Sequence, residues 1–571
     1  MKKLKYKLVL LFIFLLSGIF SCNMDDELVE NPKDFISPEN SFVDKAGFES
    51  ALAHIYRNVR SYFYSNWDEF QTFDMLGIDV DFADINWGTG FSEYFYWNTL
   101  NADNSFSEKW WWRLYALVFR ANVIIDRADA PTATWQSEEE KNAIIGEAKF
   151  IRAWAYHFLG NMWGGVPLVL HETTSAKFDY TRATQEEVYR QCKEDLEFAV
   201  EWMQSIDNLE GGRASRSAAY HLLSEVDICL EDYDGAITAA SNIINDPNFY
   251  LMTERFGTYK DFTFNGYTYK GAAKPWGDVY WDLFQEGNMN WIEGNHEAIW
   301  NMEMDYSTLG GGNNTYGGYF VLERWWGLPV ASLKDINGVK NAIKDTCAGR
   351  PAGVLKISDY AATQIWTYKN DWDRDMRNSE YNIQRHYYWL NPQSVFYGQE
   401  ITKESMGDPS LYERNVCNPS FKKAIPAVHH GMFYEEGQAN EGGGIFKDWY
   451  IMRLPETLLL RAEAYFRKGD LEKAAADINM IRNRAQATPV SVSDVNLDLI
   501  LDERARELYM EEFRLNTLMR MEKLPEYLMK YNKVVKTNGY TLDSHINKLP
   551  IPNSEIEANT GAVLEQNPGY N

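Results

Sequence analysis

The sequence lacks an apolar run long enough to cross a bilayer. Its longest such run, Leu8–Phe20, spans 13 residues, whereas a transmembrane helix needs roughly 20. The run follows a basic start with lysines at positions 2, 3, 5 and 7, and this combination has the dimensions of a secretory signal. We therefore predict that residues 1–21 are a signal peptide and that no later segment spans a membrane.

Cysteine is scarce: the chain has five, and no two of them are spaced as Cys-x-x-Cys. A disulfide framework or a structural zinc site is therefore not expected. The four downstream cysteines are predicted to be buried thiols or to form one incidental disulfide. The first cysteine, Cys22, directly follows the apolar run, and the segment ending in Ser21-Cys22 resembles a bacterial lipobox, in which the cysteine receives lipid.

Cys22 is the predicted lipidation site, although an ordinary signal peptide with an incidental cysteine would have a similar sequence. Several acyl chains on one cysteine anchor a protein stably, whereas a single chain holds it only marginally. The acidic residues Asp25–Glu27 follow closely and are similar to the surface-export cue of lipoproteins in Bacteroidota. We predict that residues 22–40 form a lipidated tether that holds the protein to outer-membrane lipid, facing the cell exterior.

Basic residues are outnumbered: 56 Lys and Arg stand against 82 Asp and Glu, which gives a formal net charge of −26. A field of that sign repels phosphate backbones, so nucleic acid is not expected as a partner. It also disfavours docking of the folded body on anionic membrane surfaces. Aromatic residues, in contrast, make up 15% of the chain. Trp and Tyr in such numbers suit a binding surface as well as a core.

Residues 41–248 are predicted to be mostly helical, because apolar residues recur there at three- and four-residue spacing. Two segments of the chain have the pattern of a tetratricopeptide helical hairpin. In the clearer one, Ala462–Ile481, small and aromatic residues flank a Gly469-Asp470 turn. In the other, Leu223–Pro247, Glu231 stands where glycine is usual. These patterns predict a mainly α fold that contains tetratricopeptide-like helical hairpins, although any antiparallel helix pair can show a similar pattern.

Between residues 249 and 447 the helical periodicity fades, and Gly, Asn, Trp and Tyr cluster. This composition predicts a loop-rich lobe with short helices and short strands. Periodic helices return in residues 448–571, which are predicted to form a C-terminal helical region with a closing tail. The predicted organisation is therefore two helical regions that flank a loop-rich, aromatic-rich lobe.

The order of these features resembles the SusD/RagB family, the surface lipoproteins that partner TonB-dependent transporters in Bacteroidota. Trp111, Tyr115 and Asn122 resemble the family's W-x3-Y-x6-N helix. The residues from Glu147-Ala148 through Gly165-Val166-Pro167-Leu168 resemble its following helix and stop. The resemblance runs from the lipobox to the last residue, and its motifs occur in the family's order.

The C-terminal part carries two further motifs of the family. Glu503–Arg520 is similar to the ER-x2-EL-x2-EG-x-R-x2-DL-x-R helix, except that Glu512 replaces the usual Gly and Thr517 the usual Asp. Leu549–Tyr570, with its Leu-Pro-Ile-Pro start and Gln-Asn-Pro-Gly-Tyr end, resembles the closing signature. We expect Asn122, Glu503 and Arg504 to satisfy helix ends and buried pairs and not to contact ligand.

The resemblance implies a superhelix of tetratricopeptide-like hairpins that carries a variable lobe and sits as a lid on a SusC-like, TonB-dependent barrel transporter. It implies that the protein captures a glycan without cleaving it and uses no cofactor. Three alternatives remain open. They are a peptide-binding member of the same family, a surface glycoside hydrolase, which needs only two suitably spaced carboxylates, and a pure protein-interaction scaffold.

Glycans present apolar C–H faces edged with hydroxyls, so aromatic rings beside polar side chains in loops are the expected contacts. The best candidate region is Asp79–Asn104, because the matching loop of the family commonly contributes to the ligand site. About half of the candidate aromatics are expected in the core, and the alternation of Tyr94 and Tyr96 also suits a half-buried strand. The predicted ligand-binding residues are Asp81, Asp84, Asn86, Trp87, Tyr96 and Trp97 in this region, Trp300, Tyr316, Trp325 and Trp326 in the lobe, and Trp372 in a third cluster.

Neither a metal site nor a catalytic motif is predicted. Asp371, Asp373 and Asp375 imitate the start of a calcium loop. Met376, however, replaces the needed Gly, and Asn382 replaces the twelfth-position Glu, so a solvated or ion-paired loop is expected instead. The sequence also has no P-loop, dinucleotide fingerprint or Gly-x-Ser-x-Gly motif.

Overall fold

A computed structural model describes residues 41–64, 81–82, 97–261, 276–305, 308, 311, 322–341, 353, 355–425 and 447–570. Helices predominate within these ranges and strands are short, which confirms the predicted fold class. The helices are α1 Lys45–Phe63, α2 Ser105–Ala128, α3 Glu138–Trp163, α4 Gln185–Trp202, α5 Arg216–Cys229, α6 Tyr233–Ile244, α7 Val279–Asp282, α8 Leu322–Trp326, α9 Asp359–Ala362, α10 Tyr412–Asn415, α11 Leu454–Lys468, α12 Leu471–Arg484, α13 Leu497–Leu508, α14 Arg514–Arg520, α15 Leu524–Tyr531, α16 Lys533–Asn538 and α17 Asn553–Ala558. The strands are β1 Asp81–Phe82, β2 Ala298–Met302, β3 Leu355–Lys356, β4 Ile383–Gln384, β5 Ser420–Phe421 and β6 Trp449–Arg453.

Successive helices pack against each other, α2 on α3, α3 on α4, and α5 on α6. The hydroxyl of Ser137 caps α3 by accepting from the main-chain N of Glu140 at 3.2 Å, as expected for serine at a helix N-terminus. Every residue of α3 from Ile144 to Trp163 is buried except Lys149. A helix that is covered on all sides lies inside a large core, so α3 is the element around which the N-terminal helices are arranged.

The clearer predicted hairpin is confirmed as α11 and α12. Gly469 ends α11 with a φ of +86°, a left-handed conformation that glycine adopts without steric cost. Asp470 then caps α12, because its carboxylate accepts from the main-chain N of Lys473 at 3.2 Å. The turn therefore follows from two adjacent residues.

The second predicted hairpin is confirmed as α5 and α6. Glu231 adopts a φ of +60° at the turn, the conformation for which other hairpins use glycine, and Asp232 caps α6 by accepting from Gly235 N at 2.9 Å. The two hairpins also pack on each other, since Ala236 of α6 shares a buried cluster with Leu460 and Ala464 of α11. Small residues at this contact allow the helices to approach closely.

The region between the hairpins contains the short helices and strands that its composition predicts. Strand β2 pairs antiparallel with β6, with Asn301 opposite Tyr450, and every residue of both strands is buried. This pairing joins the lobe to the C-terminal helices. The other two pairs, β1 with β3 and β4 with β5, have only two residues in each strand.

A buried cluster of ion pairs links the same parts of the chain. Glu507 on α13 accepts hydrogen bonds from Arg453 of β6 at 2.8 Å, from Arg377 of the lobe at 3.1 Å, and from Arg484 of α12. Glu503, one turn earlier on α13, also pairs with Arg377, at 2.8 Å. Burial alone would raise the pKa of Glu507, but the charges of Arg484, Arg453 and Arg377 outweigh it and lower the pKa to about 2.

The family-like motif residues serve the structure, as predicted. Asn122 donates to the main-chain O of Val169 at 2.8 Å and accepts from Arg152 at 2.8 Å, inside the protein. Arg504 is buried and pairs with Glu456 at 2.6 Å and with Glu512. The carboxylate that replaces the usual glycine at position 512 is thus neutralised by a neighbouring guanidinium.

Three cysteines are described, and all three are free thiols. Cys192 is buried and Cys229 is half-buried, whereas Cys417 is exposed. The prediction of a buried thiol or a disulfide is therefore wrong for Cys417, because the short helix α10 that precedes it leaves it on the surface of the lobe. Across the described ranges, no helix has the length and apolar character needed to span a membrane.

Replacing Glu507 by Gln should lower the free energy of unfolding at pH 7 by about 3–5 kcal/mol, because buried guanidinium groups would lose their countercharge. Denaturant unfolding measures this loss. The exposed Glu472, replaced by Gln, is the matched control and should change stability by no more than about 0.5 kcal/mol.

The effect of Glu507→Gln should also depend on pH. The folded-state pKa of Glu507 is lowered from its ordinary value of 4.5 to about 2. The stabilisation that its negative charge provides is therefore complete above pH 4.5 and is lost as the pH falls from 4.5 to about 2. The difference between wild type and variant should therefore shrink between pH 4.5 and 2. A variant as stable as the wild type at pH 7 would contradict this account of the cluster.

Glu231→Gly should stabilise the α5–α6 hairpin by about 0.5–1 kcal/mol. A residue with a side chain is strained at positive φ. The free energy gained by removing that strain exceeds the cost of the conformational entropy that glycine adds to the unfolded chain. Ala476→Gly, at an exposed position inside α12, is the control and should destabilise by about 1 kcal/mol. Thermal unfolding in which both variants lose stability would refute the proposed strain at Glu231.

Candidate functional site

Three of the predicted aromatic contacts belong to the core. Trp97, Trp300 and Trp326 are only 5%, 2% and 2% exposed. The ring of Trp300 packs edge-to-face on Phe150 and Trp154, with centroids 5.2 and 5.6 Å apart. The structure therefore corrects the prediction for these three indoles: their faces contact protein and are not free to stack on a sugar.

The predicted contact residues Trp326 and Trp372 differ in how far their rings are buried. Trp326 is buried because it packs on Phe421, which in turn stacks on Tyr509 at 3.9 Å. Trp372 is half-buried, and the guanidinium of Arg385 lies over its ring at 4.6 Å. One face of Trp372 is thus already covered by a cation. The side chain of Trp325, on α8, lies outside the described residues.

Five predicted contact residues lie wholly outside the described residues, and for them the prediction stands as made. Asp81 is described through its backbone alone, in β1, where it pairs with Lys356 of β3. Strand β3 in turn packs against α8. The start of the segment Asp79–Asn104 therefore lies near α8, the lobe helix that carries Trp325 and Trp326. The five residues are Asp84, Asn86, Trp87, Tyr96 and Tyr316.

Exposed aromatic rings also occur on a helix, outside the regions predicted to contact ligand. Trp112 is 59% exposed and Phe119 is 45% exposed, both on α2. They are seven residues apart and hence lie on one face of the helix, while the neighbouring Trp110 and Trp111 are buried. Their spacing in the sequence could have predicted this exposure, because positions 112 and 119 fall outside the stripe of apolar residues that α2 buries.

The two rings line an aromatic groove of about 250 Å³ between α2, residues 167–180 and α17. Tyr115 and Tyr180 also line it, and Glu555 contributes a carboxylate. The hydroxyl of Tyr115 donates to the main-chain O of Pro167 at 2.8 Å. That hydrogen bond orients the Tyr115 ring as part of a fixed wall.

The polar edge of the aromatic groove is equally fixed. Asn559 accepts from the main-chain N of Tyr180 at 2.8 Å and donates to its main-chain O at 2.8 Å. Glu555 is half-buried, and burial together with the nearby Glu108 raises its pKa, while a hydrogen bond from Trp111 opposes the rise. The groove thus combines aromatic faces with one carboxyl group, the combination expected for contacts with C–H faces and hydroxyls.

Helix α17 connects the aromatic groove to the end of the first candidate region. The main-chain N of Asn553 donates to the O of Ala102 at 3.0 Å, and its amide donates to Asp103 at 2.7 Å. The hydroxyl of Ser554 donates to Glu108 on α2 at 2.7 Å. Residues 102 and 103, at the end of the segment Asp79–Asn104, therefore lie beside α17 and the aromatic groove.

The carboxyl group that most resembles a catalytic acid, that of Asp448, is half-buried and does not line the aromatic groove. Burial, followed by the charges of Glu303 and Glu293, raises the pKa of Asp448 to about 7. Its oxygens accept from the main-chain N of Met304 at 2.8 Å and from the amide of Asn290 at 2.7 Å. These hydrogen bonds give Asp448 a role in holding strand ends.

Two of the three acidic residues that imitate a calcium loop form ion pairs, and the third, Asp373, is exposed, which agrees with the predicted solvated or ion-paired loop. Asp371 accepts from Arg482 at 2.7 Å and from the hydroxyl of Thr488 at 2.6 Å. Asp375 accepts from Arg377 at 2.7 and 2.9 Å. In the part of the chain that the structure describes, no group of three or more His, Cys, Asp and Glu side chains is arranged to hold a metal ion.

Two family models match the chain. The model described as "SusD family" matches residues 296–570. The model described as "Starch-binding associating with outer membrane" matches residues 32–228. The two matches do not overlap and together cover the C-terminal helical region, most of the N-terminal helical region and most of the lobe.

Individual proteins agree with the family models. SusD-like protein P2 of Formosa agariphila is 25% identical over 587 aligned residues, which cover 99% of this chain and all of the relative. The starch-binding protein SusD of Bacteroides thetaiotaomicron is 41% identical over 122 residues, or 21% of each chain. A solved structure of a laminarin-binding SusD-like protein superposes with a TM-score of 0.63 at 21% identity, over 92% of this chain and 99% of the other. The likeness to the solved structure shows that the fold is shared, and with the family matches it establishes that this chain belongs to the SusD/RagB family.

Proposed function

We propose that this protein is a lipid-anchored surface protein that captures a glycan and delivers it to a SusC-like, TonB-dependent outer-membrane transporter. The observation that carries the proposal is the rigid aromatic groove on α2 and α17, which adjoins the end of the loop Asp79–Asn104. The family matches support it, because one of them is described as starch-binding and associated with the outer membrane. Two of the similar proteins are named for binding starch and laminarin.

The proposed glycan contacts are the loop residues and the groove together. In the loop they are Asp81, Asp84, Asn86, Trp87 and Tyr96, with Tyr316 and Trp325 added from the lobe. In the aromatic groove they are Trp112 and Tyr180, with Glu555 accepting a sugar hydroxyl. Flat rings cover the C–H face of a sugar at little entropic cost, since they have few rotatable bonds.

Binding without catalysis fits the charges that the structure describes. The carboxylates of Glu503 and Glu507 are buried and paired with arginines, and the carboxyl of Asp448 is held by two hydrogen bonds inside the fold. A glycosidase needs two carboxyl groups that flank a scissile bond in a site open to substrate. The groove contributes one, Glu555.

Trp87→Ala and Trp112→Ala should each weaken binding of a recognised glycan about tenfold, equivalent to about 1.4 kcal/mol. The lost energy is the contact between ring and sugar face. The ligand is first identified by retardation of the mature, detergent-solubilised protein in gels that contain different polysaccharides, and the affinities are then measured by calorimetry. Tyr250→Ala removes an exposed aromatic that stacks on His296, outside both surfaces, and should leave binding unchanged.

Chromatography of the glycan after incubation with the protein should show no shorter products. Release of oligosaccharides would replace the binding role with a hydrolase. Retention of peptides in place of every polysaccharide would leave the capture role but overturn the choice of cargo. A glycan that binds equally well to both tryptophan variants would show that the proposed surfaces are not the site.

Cys22→Ser should release the protein from the outer membrane, because the proposed acyl chains attach to that sulfur. Fractionation of cells that express wild type and variant, followed by immunoblotting, measures the distribution. Cys417→Ser, which alters an exposed thiol of the folded body, is the matched control and should remain in the membrane fraction. A Cys22→Ser variant that stays there would contradict lipid anchoring at this residue.

A further inference from the structure

One wall of the aromatic groove includes a segment that the rest of the fold does not cover. Residues 167–180 complete the groove beside α2 and α17. Within them, residues 173–179, which we call the strap, form neither helix nor strand, and all seven are exposed. Exposed backbone with few buried contacts has low local stability. The strap is therefore the part of the groove that can change conformation at low cost.

Both ends of the strap are anchored. Before it, the main-chain N of Glu172 donates to Asp126 of α2 at 2.6 Å, and Arg127 donates to the Glu172 carboxylate at 2.7 and 2.9 Å. After it, the amide of Asn559 both donates to and accepts from the main chain of Tyr180. Loops that close over a ligand have this construction, in which fixed ends flank a free middle part.

Between these anchors the strap makes few polar contacts. The main-chain O of Phe178 accepts from the N of Gly561 at 2.6 Å. Lys177 lies 3.9 Å from Asp179 and 5.0 Å from the centroid of the Tyr180 ring. No main-chain N of the strap donates to a group in the part of the chain that the structure describes. A movement of the strap therefore costs one hydrogen bond to the rest of the described fold.

Phe178 presents an apolar ring on this uncovered segment. Its side chain is 54% exposed, and among the described residues it has no ring contact. Val563 is also exposed, and it precedes Leu564, which lines the aromatic groove. Together with Trp112 and Phe119 on α2, these side chains place several exposed apolar groups around one groove. Exposed apolar side chains that occur together mark a binding surface, whereas scattered single ones need no explanation.

We propose that Phe178 is a further glycan contact, because the strap folds onto a sugar bound in the aromatic groove and places this ring against it. The sugar then lies between the rings of α2 and the ring of Phe178. This inference rests on the proposed function, since it adds a movable contact to the same glycan site. A sugar ring has two C–H faces, and a second aromatic ring covers the face that the first leaves in water.

A contact of this kind acts mainly on release of the glycan. The strap lies open before binding and does not obstruct entry, whereas a sugar beneath Phe178 leaves only after the strap has moved away. Affinity differences among related complexes reside mostly in the dissociation rate. The strap also loses conformational freedom when it closes, which offsets part of the contact energy. The expected gain in affinity from Phe178 is therefore moderate.

Hydrogen exchange followed by mass spectrometry measures the strap itself. Oligosaccharides of laminarin, starch, xylan and mannan are screened by gel retardation with the mature, detergent-solubilised protein, and the tightest binder is the probe. Main-chain amides of residues 173–179 should exchange rapidly in the free protein and about tenfold more slowly when the probe saturates it. Amides of the buried helix α3 should exchange equally slowly in both states and are the internal control.

Phe178→Ala should raise the dissociation rate of the probe about tenfold and leave its association rate within about threefold of wild type. Phe178→Trp, which keeps an aromatic ring, should retain slow release. Biolayer interferometry measures both rates. Met480→Ala removes an exposed apolar side chain of α12 and is the matched control. Because Phe178 is exposed, its variants should unfold at the wild-type temperature, which circular dichroism checks.

Two results would overturn this inference and leave glycan capture in place. One is unchanged exchange of residues 173–179 in the protein with the probe bound. The other is a Phe178→Ala variant that releases the probe at the wild-type rate while Trp112→Ala still weakens binding. If the protein retains no saccharide of the panel, the proposed function fails, and the Phe178 contact fails with it.

Discussion

The fold depends on ionised side chains that are removed from water. Moving charges into a protein interior costs several kcal/mol per ion, and only close pairing with complete hydrogen bonding offsets that cost. Here Glu507 and Glu503 of α13 are surrounded by arginines from β6, α12 and the lobe. Glu297, next to β2, pairs with Arg453 and Arg484 of the same cluster. The charges can all be satisfied only when these segments are together, so the cluster specifies how the lobe meets the helices.

This rigid frame holds the aromatic groove in place in a protein whose strands are short. The aromatic groove is made of one long helix, α2, and a C-terminal segment whose Asn559 is tied to Tyr180 by two hydrogen bonds. Groups that are held in place before the ligand arrives lose little entropy on binding.

Most of the architecture could be predicted because its signals are local. The turn at Gly469-Asp470 needs a residue that tolerates positive φ followed by a capping carboxylate, and both are adjacent in the chain. Glu231 shows the limit of such signals, since it adopts the same conformation without being glycine. The structural role of Glu503 was also predictable from the resemblance, but its partners, Arg377 and Arg482, come from distant segments with no sequence marker.

The candidate site was much less predictable, because exposure is decided by the whole fold. Trp300 and Trp326 lie in loop-rich sequence that suggested surface, yet residues far away in the chain cover them. Trp110, Trp111 and Trp112 are identical and consecutive, but only the last is exposed. By itself the sequence determined the helices, the hairpin turns and the acidic surface, which depend on neighbouring residues and on composition. Which rings and charges reach solvent was decided by tertiary structure alone, because a side chain is buried only when another segment packs on it.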